Sequence, residues 1–340
     1  MNPTPAEWYE PGVEEVSDGI YRIPLPLPGD GLRAVNVYAL RGGDELAMID
    51  GGWAFADSQE HLGRALGQIG FGLADIRRIL VTHIHRDHYT LAIALREQFG
   101  CHVSLGVGEQ PNLDELTEVL TKGRPFRHNA VLVRAGVSDL AIPQESEAQS
   151  HPRYWQQPDE WLDPGSSRTA GGRHLAVVAT PGHTSGHVVF HDEAARMLFA
   201  GDHVLPTITP SIGFESAPAR WPLRDYLDSL RRVSAMPDAR LLPAHGMVTD
   251  SVHARVAALL LHHEERLQAT LDAVKAGAST AREVAEILRW TRHHRAMSEL
   301  NLSNQRLAIS ETLAHLDVLV LQGRAVAATD ETGADHFTVA

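Results

Sequence analysis

The sequence predicts an α/β fold over roughly its first 250 residues and a helical region after them. Three observations carry that reading. Short apolar runs of strand length alternate with segments of helical period as far as residue 246. Most of those runs end in small residues beside a His or Asp, where functional loops sit on a sheet scaffold. Beyond His245 the texture changes to long amphipathic stretches.

Taken in order, GIYRIPLPLPG (19–29) and AVNVYALRGG (34–43) read as strands, and the prolines suit an edge position. ELAMIDGG (45–52) is a short apolar run closed by an Asp-Gly turn. Leu62, Leu66 and Ile69 place a helix near 57–70, and IRRILVTH (76–83) is a strand of buried type. HYTLAIALREQFG (88–100) is a helix ended by Gly100, a common C-terminal cap. HLAVVATPG (174–182), HVVFHDE (187–193), RMLFAGD (196–202) and ARLLPAHG (239–246) repeat the strand pattern. Between about 107 and 172 the periodicity weakens, although LDELTEVL is helical. This segment reads as an inserted cap over the site or as a surface excursion. Its aromatics Tyr154, Trp155 and Trp161 could line a substrate pocket or form the segment's own core. After residue 250, 251–274 is a long amphipathic helix and 279–288 opens with a capping box, Thr280 and Glu283. The stretch 303–326 is a helix running into a strand, and DETG (330–333) turns into a last strand. The expected division is 1–250 for the catalytic domain and 251–340 for a winged-helix-like region.

Composition narrows the class. The chain has 340 residues, 43% hydrophobic and 21% charged, which suits a globular protein and excludes a fibrous or disordered one. No uncharged apolar run approaches the roughly 18 residues of a membrane span. The N-terminus is polar and acidic, unlike a secretory signal. Cys101 is the single cysteine, so no internal disulfide can form, and a cytoplasmic location is expected. The net charge of −13 disfavours a nucleic-acid partner. The 251–340 region holds nine Lys/Arg against eleven Asp/Glu, so it reads as a structural or homodimerisation module rather than a DNA reader.

Twenty histidines are the anomaly. The sharpest cluster is V-T-H-I-H-R-D-H (81–88). His83 and His85 are two apart at a strand end and point to one side. Asp87 and His88 follow where strand becomes helix. Buried imidazoles and a carboxylate need partners, and a divalent metal supplies them; zinc suits this donor set best.

H-x-H-x-D-H after an apolar strand resembles the signature of the metallo-β-lactamase fold superfamily. Its other landmarks have counterparts in order: Asp50 in M-I-D-G-G, His183 in T-P-G-H-T-S-G-H, Asp202 in F-A-G-D and His245 in L-L-P-A-H-G. The wording is similar to the glyoxalase II-like group, and the tail resembles a winged-helix extension found in some members. The resemblance implies an αββα sandwich and two metal sites. His83, His85 and His183 would form the first, Asp87, His88 and His245 the second, with Asp202 as the bridge. Two zinc ions are implied, with iron or manganese as other occupants. Ions about 3.5–4 Å apart can share a bridging water, and zinc lowers the pKa of bound water from about 15.7 to about 7. A zinc-bound hydroxide would then attack an ester, thioester or lactone of small or medium size. Asp87 and Asp202 would be the catalytic carboxylates, with Asp87 aiming the hydroxide. Asp50 would orient a ligand histidine from behind. His203 would touch substrate or a leaving group, or else serve structure, and His187 reads as a satisfied histidine behind the ligands. Two other reactions stay open: sulfur oxidation at a single iron, and RNA cleavage.

Overall fold

The computed structural model describes residues 7–29, 31–43, 45–55, 57–141, 151–291 and 293–340. Two sheets and two helical layers follow from the alternation of each strand. The first sheet runs in the order β1 (Glu14–Ser17), β2 (Ile20–Pro26), β3 (Ala34–Gly42), β4 (Glu45–Ile49), β5 (Ile76–Val81), β6 (His102–Gly106) and β7 (Glu160–Leu162). Strands β1 to β4 pair antiparallel, and β4 to β7 pair parallel. The parallel steps need crossovers, and helices α1 (Ser58–Gln68) and α2 (Arg86–Phe99) supply the first two. The second sheet is ordered β12 (Arg240–Pro243), β11 (Met197–Gly201), β10 (Val188–Asp192), β9 (Arg173–Ala179), β8 (Ser167–Ala170).

Successive side chains of a strand face opposite ways, so each strand serves two cores. In β3, Tyr38 and Leu40 meet Phe190, Phe199 and Val177 of the second sheet. Val35, Val37 and Ala39 of the same strand face the helical layer, against Leu62 and Leu66 of α1 and Leu91 and Leu95 of α2. The outer face of the second sheet, with Val189, Leu198 and Leu241, packs on α5 (Pro222–Ser234), α6 (Val252–Lys275) and α8 (Leu302–Leu321). This is an αββα sandwich. Helix α5 has no counterpart in the periodicity reading, although Leu223, Tyr226, Leu227, Leu230 and Val233 share one of its faces.

Residues 107–172 differ from a free-standing cap. They contribute β7 to one sheet and β8 to the other, while α3 (Gln110–Lys122) and α4 (His128–Arg134) bury Leu113, Leu116, Val119 and Leu132 in the main core. Trp155 lies in that core and Trp161 packs against it, which favours the packing role for these aromatics. Residues 142–150 of the segment lie outside the described residues. The C-terminal region consists of α6, α7 (Ala281–Ile287), α8 and the hairpin β13 (Ala325–Thr329) and β14 (Asp335–Val339). The Thr280–Glu283 capping box forms, with Glu283 N donating to Thr280 Oγ1 at 3.2 Å and Thr280 N to Glu283 Oε2 at 3.1 Å. Among the described residues no helix is long and apolar enough to cross a membrane.

Phe199 tests the interlayer core. It is fully buried and meets Tyr38 edge-on at 5.4 Å between ring centroids. Phe199→Ala should cost about 3–5 kcal/mol, read as a lower urea midpoint with an unchanged slope.

Candidate metal centre

All seven expected ligands come together at the sheet ends that carry β5, β11 and β12. They form two groups, His83, His85, His183 and Asp202, and then Asp87, His88 and His245, with the potential ligand atoms of each group within 4.8 Å of one another. The turn after β5 delivers four of them, and Asp87 and His88 already belong to the first turn of α2. The turn after β9 delivers His183, the end of β11 delivers Asp202, and the end of β12 delivers His245.

Each imidazole is aimed by what its other nitrogen meets. Asp50 accepts from Thr82 N at 2.8 Å and from Thr82 Oγ1 at 3.0 Å. Having donated there, the Thr82 hydroxyl accepts from His83 Nδ1 at 3.1 Å, which leaves the His83 Nε2 lone pair facing the centre. His88 Nδ1 pairs with Asp50 Oδ2 at 2.9 Å. His183 Nδ1 donates to Ser211 O, and His245 Nδ1 to Ala34 O, each at 2.7 Å. This is the backing that metal-binding imidazoles normally have. Asp50 holds its position with a left-handed backbone, φ +60°, a region Asp tolerates better than most residues.

The inner atoms of the first group lack enough protons to satisfy one another. His83 Nε2 and His183 Nε2 lie 3.0 and 2.9 Å from His85 Nδ1, so two lone pairs face a nitrogen that can carry only one proton. Asp202 reaches both groups. Its Oδ2 is 3.4 Å from His183 Nε2, while its Oδ1 is 3.3 Å from His245 Nε2 and 3.6 Å from His88 Nε2. Asp87 Oδ2 stands 3.5 Å from His245 Nε2 and 3.7 Å from His88 Nε2. His88 Nε2, His245 Nε2 and Asp202 Oδ1 are buried without a hydrogen-bond partner. Buried polar atoms in that condition are costly, and a cation in each group would satisfy them. The donor set fits zinc.

Charge separates the two groups. Burial, reinforced by neighbouring imidazoles, holds His83 well below its ordinary pKa and His85 at about 3. Burial would lower His88 too, but the carboxylates of Asp50, Asp87 and Asp202 outweigh it and push His88 up to about 10. His245 is raised by Asp202 and Asp87 despite burial. Asp202, buried as it is, is held well below the carboxylate range by His245 and His88. The first group therefore presents neutral imidazoles, whereas in the second His88 is cationic at neutral pH in the absence of metal and His245 is shifted in the same direction.

A model of the metallo-beta-lactamase superfamily matches residues 30–245, well over half the chain. The protein belongs to the metallo-beta-lactamase superfamily. A second model, for the metallo-beta-lactamase-like C-terminal domain, matches residues 267–340. The probable metallo-hydrolase YqjP of Bacillus subtilis (strain 168) is 27% identical over 310 residues, 88% of this chain and 90% of that protein. An atrochrysone carboxyl ACP thioesterase from Cryptosporiopsis sp. (strain 8999) is 24% identical over 274 residues, 80% of this chain and 68% of its own. The crystal structure of a metallo-beta-lactamase family protein from Thermus thermophilus, 27% identical, covers 95% of this chain and 99% of that one with a TM-score of 0.78.

Asp50 lies behind His88, its Oδ2 2.9 Å from His88 Nδ1. His203 enters neither metal group. It is fully buried beside Tyr226, 5.3 Å between ring centroids, and neither ring nitrogen has a partner. His187 sits closer to the centre than its motif position suggests. Its Nε2 accepts from Asp202 N at 3.2 Å, its Nδ1 lies 2.8 Å from Thr180 Oγ1, and its ring stacks on His83 at 4.9 Å. The approach leaves no room at Gly201, φ +49°, where a Cβ would fall 2.7 Å from Thr82 Oγ1 and 2.8 Å from His187 Nε2. Three polar residues escape the sequence reading altogether: Glu109, Asn112 and Glu215, all buried beside the His183 turn. Burial raises Glu109 to about 7, against the lowering effect of hydrogen bonds from Thr184 and Asn112.

The His88 shift gives a sign that can be tested. Metal ligation needs neutral Nε2, whereas the metal-free site holds His88 protonated below about 10. Zinc loading near neutral pH should therefore release protons, and second-site affinity should rise with pH toward 10. Calorimetric titrations in buffers of different ionisation enthalpy should give different apparent heats. Equal heats across buffers would contradict the assignment.

Proposed function

We propose that the protein is a metal-dependent hydrolase with two zinc ions per chain, acting on a small or medium ester, thioester or lactone. The observation that carries this reading is the split of the Asp202 carboxylate, one oxygen toward each group of ligands. Two divalent ions held there would supply an activated water and polarise the oxygen of the bond under attack. The remaining work falls to the chain itself. Asp202 spans the two groups and sets their separation. Asp87 is held ionised by His88 and His245 and is the more open of the two carboxylates, 15% exposed against 9%, so it can accept a hydrogen bond from the attacking water and orient it. The groups behind the imidazoles keep their Nε2 atoms aimed at the centre.

Three features support an acyl substrate. The net charge of −13 opposes a polyanion. Exposed apolar side chains lie close in the chain to the second group: Met247, 64% exposed, is two residues beyond His245, and exposed Ile208 is two beyond Pro206, which packs on Gly246. The similarity to the thioesterase extends over 80% of the chain.

Elemental analysis of protein purified without added metal should show about two zinc per chain; a stoichiometric single iron would overturn the reading. Asp202→Ala should lower kcat/KM by more than about 100-fold, beyond the loss expected for a residue behind a ligand, while the fold persists by circular dichroism. In a panel of acyl esters, acyl thioesters, lactones, a chromogenic cephalosporin and short RNA, the small acyl substrates should be turned over fastest. Preferential cleavage of RNA would reject the substrate class.

A further inference from the structure

Two buried carboxylates meet at one asparagine beside the first metal group. Asn112 Nδ2 lies 2.9 Å from Glu109 Oε2, 2.9 Å from Glu215 Oε2 and 3.2 Å from Ser185 Oγ. Carboxylates this near one another repel, and the amide places its two N–H groups between them. All three side chains are at least nine-tenths buried. Their other bonds reach the chain around the ligands. Glu109 accepts from Thr184 Oγ1, next to His183, and from the backbone N–H of Ile84, which stands between His83 and His85. Glu215 accepts from Ser185 N at 2.9 Å and Ala219 N at 2.8 Å, and Asn112 Oδ1 accepts from Ala217 N at 2.8 Å. The 211–219 loop so anchored begins at Ser211, whose carbonyl accepts the hydrogen bond from His183 Nδ1. Gly186 completes the fit, since a Cβ there would lie 2.0 Å from Glu109 N.

Every ligand histidine of the first group is thus flanked or backed by a segment that this network ties down. In the second group His88 is backed by Asp50 and His245 by Ala34, and Asp50 also reaches His83 of the first group through Thr82. We propose that Glu109, Asn112 and Glu215 are positioning residues for the first metal site: Asn112 cross-links the two carboxylates, and through them fixes the 183–186 turn, Ile84 and the 211–219 loop so that His183 presents Nε2. The network controls the affinity of one site and leaves the other alone. This inference rests on the metal reading of the centre.

The test is zinc titration of the metal-free full chain against a chromophoric chelator, with the melting temperature of the metal-free protein recorded in parallel. The zinc equivalent lost in His183→Ala marks the first site. Asn112→Asp keeps the shape and removes both N–H donors; Thr184→Val removes the hydroxyl that Glu109 accepts, and Thr184→Ser retains it. Asn112→Asp and Thr184→Val should weaken the first equivalent by about 10–100-fold, the usual effect of removing a partner behind a ligand, with the second unchanged. Thr184→Ser should restore wild-type affinity. Phe199→Ala, destabilised by another route, should lower the melting temperature and leave both affinities intact. Should Asn112→Asp fail to fold, Thr184→Val decides alone. The proposal is overturned if both equivalents keep wild-type affinity in these variants, or if both weaken together in step with the melting temperature. A wild-type chain that takes up no zinc would instead overturn the metal reading itself, before any variant is compared.

Discussion

Asp50 stands where two strands, one helix and one imidazole have to agree. Its backbone N–H bonds to Leu80 O, which registers the end of β4 on β5. Its carboxylate takes the Thr82 amide and hydroxyl, and its second oxygen pairs with His88. Through the Thr82 hydroxyl it also decides which nitrogen of His83 carries the proton. The next residue, Gly51, donates to His88 O, so the first turn of α2 is pinned from the same place. One carboxylate therefore sets the tautomer of His83 in the first group and the charge of His88 in the second. The cost is a left-handed backbone at a non-glycine residue, a conformation that persists where the surroundings over-determine it.

The same constraint explains why so much of the centre is legible in the sequence. Metal ligands must be His, Asp or similar donors, and they must leave strand ends together. His83, His85, Asp87 and His88 are therefore crowded into six positions, with Pro-Gly or small residues announcing the later loops. The αββα architecture is legible for a related reason: strands such as β3 carry apolar residues on both faces because both faces are covered. What escapes has no local signature. Glu109, Asn112 and Glu215 are ordinary polar residues until the fold brings positions 73 to 103 apart into contact. Strands β7 and β8 are three and four residues long, too short for alternation to show, and they exist through pairing with β6 and β9. Helix α5 is different, since its apolar face and Pro222 in the first turn are visible in the sequence.

That overlooked helix links the C-terminal region to the centre. Gly182, immediately before His183, lies so close to α5 that a Cβ would fall 2.4 Å from Tyr226 Cα. Ser229 Oγ donates to Pro181 O at 2.8 Å, and Tyr226 OH to His203 O at 3.0 Å. One helix thus grips the chain beside two expected ligands, His183 and Asp202. On its other side α5 shares a core with α6 and α8. Tyr226 is followed by a buried imidazole pair, His263 Nδ1 to His315 Nε2 at 3.2 Å, with the Tyr226 and His263 rings 5.5 Å apart. Arg134 of α4 adds a second link, reaching Asp317 of α8 at 2.9 Å and Asp335 of β14 at 2.8 Å.

The region after residue 250 is therefore tied to both halves of the sandwich. Its α8 contributes Ile309, Leu313 and Leu316 to the main core, and Ala314, Val318 and Leu319 to the core outside the second sheet. A helix that buries opposite faces in two cores cannot move as an independent unit without exposing one of them. Removing it would strip α5 of part of its apolar cover, and α5 is what presses the Pro181–Gly182 turn into place. The 211–219 loop gives the same result from the other direction, because Gly213 lies against α8: a Cβ at Gly213 would fall 3.2 Å from the carbonyl oxygen of Ser310. The anchored loop behind His183 thus rests on the C-terminal helix as well as on Asn112. Aim at the first metal group is a property of the whole chain, although the atoms that would touch a metal all come from residues 83–245.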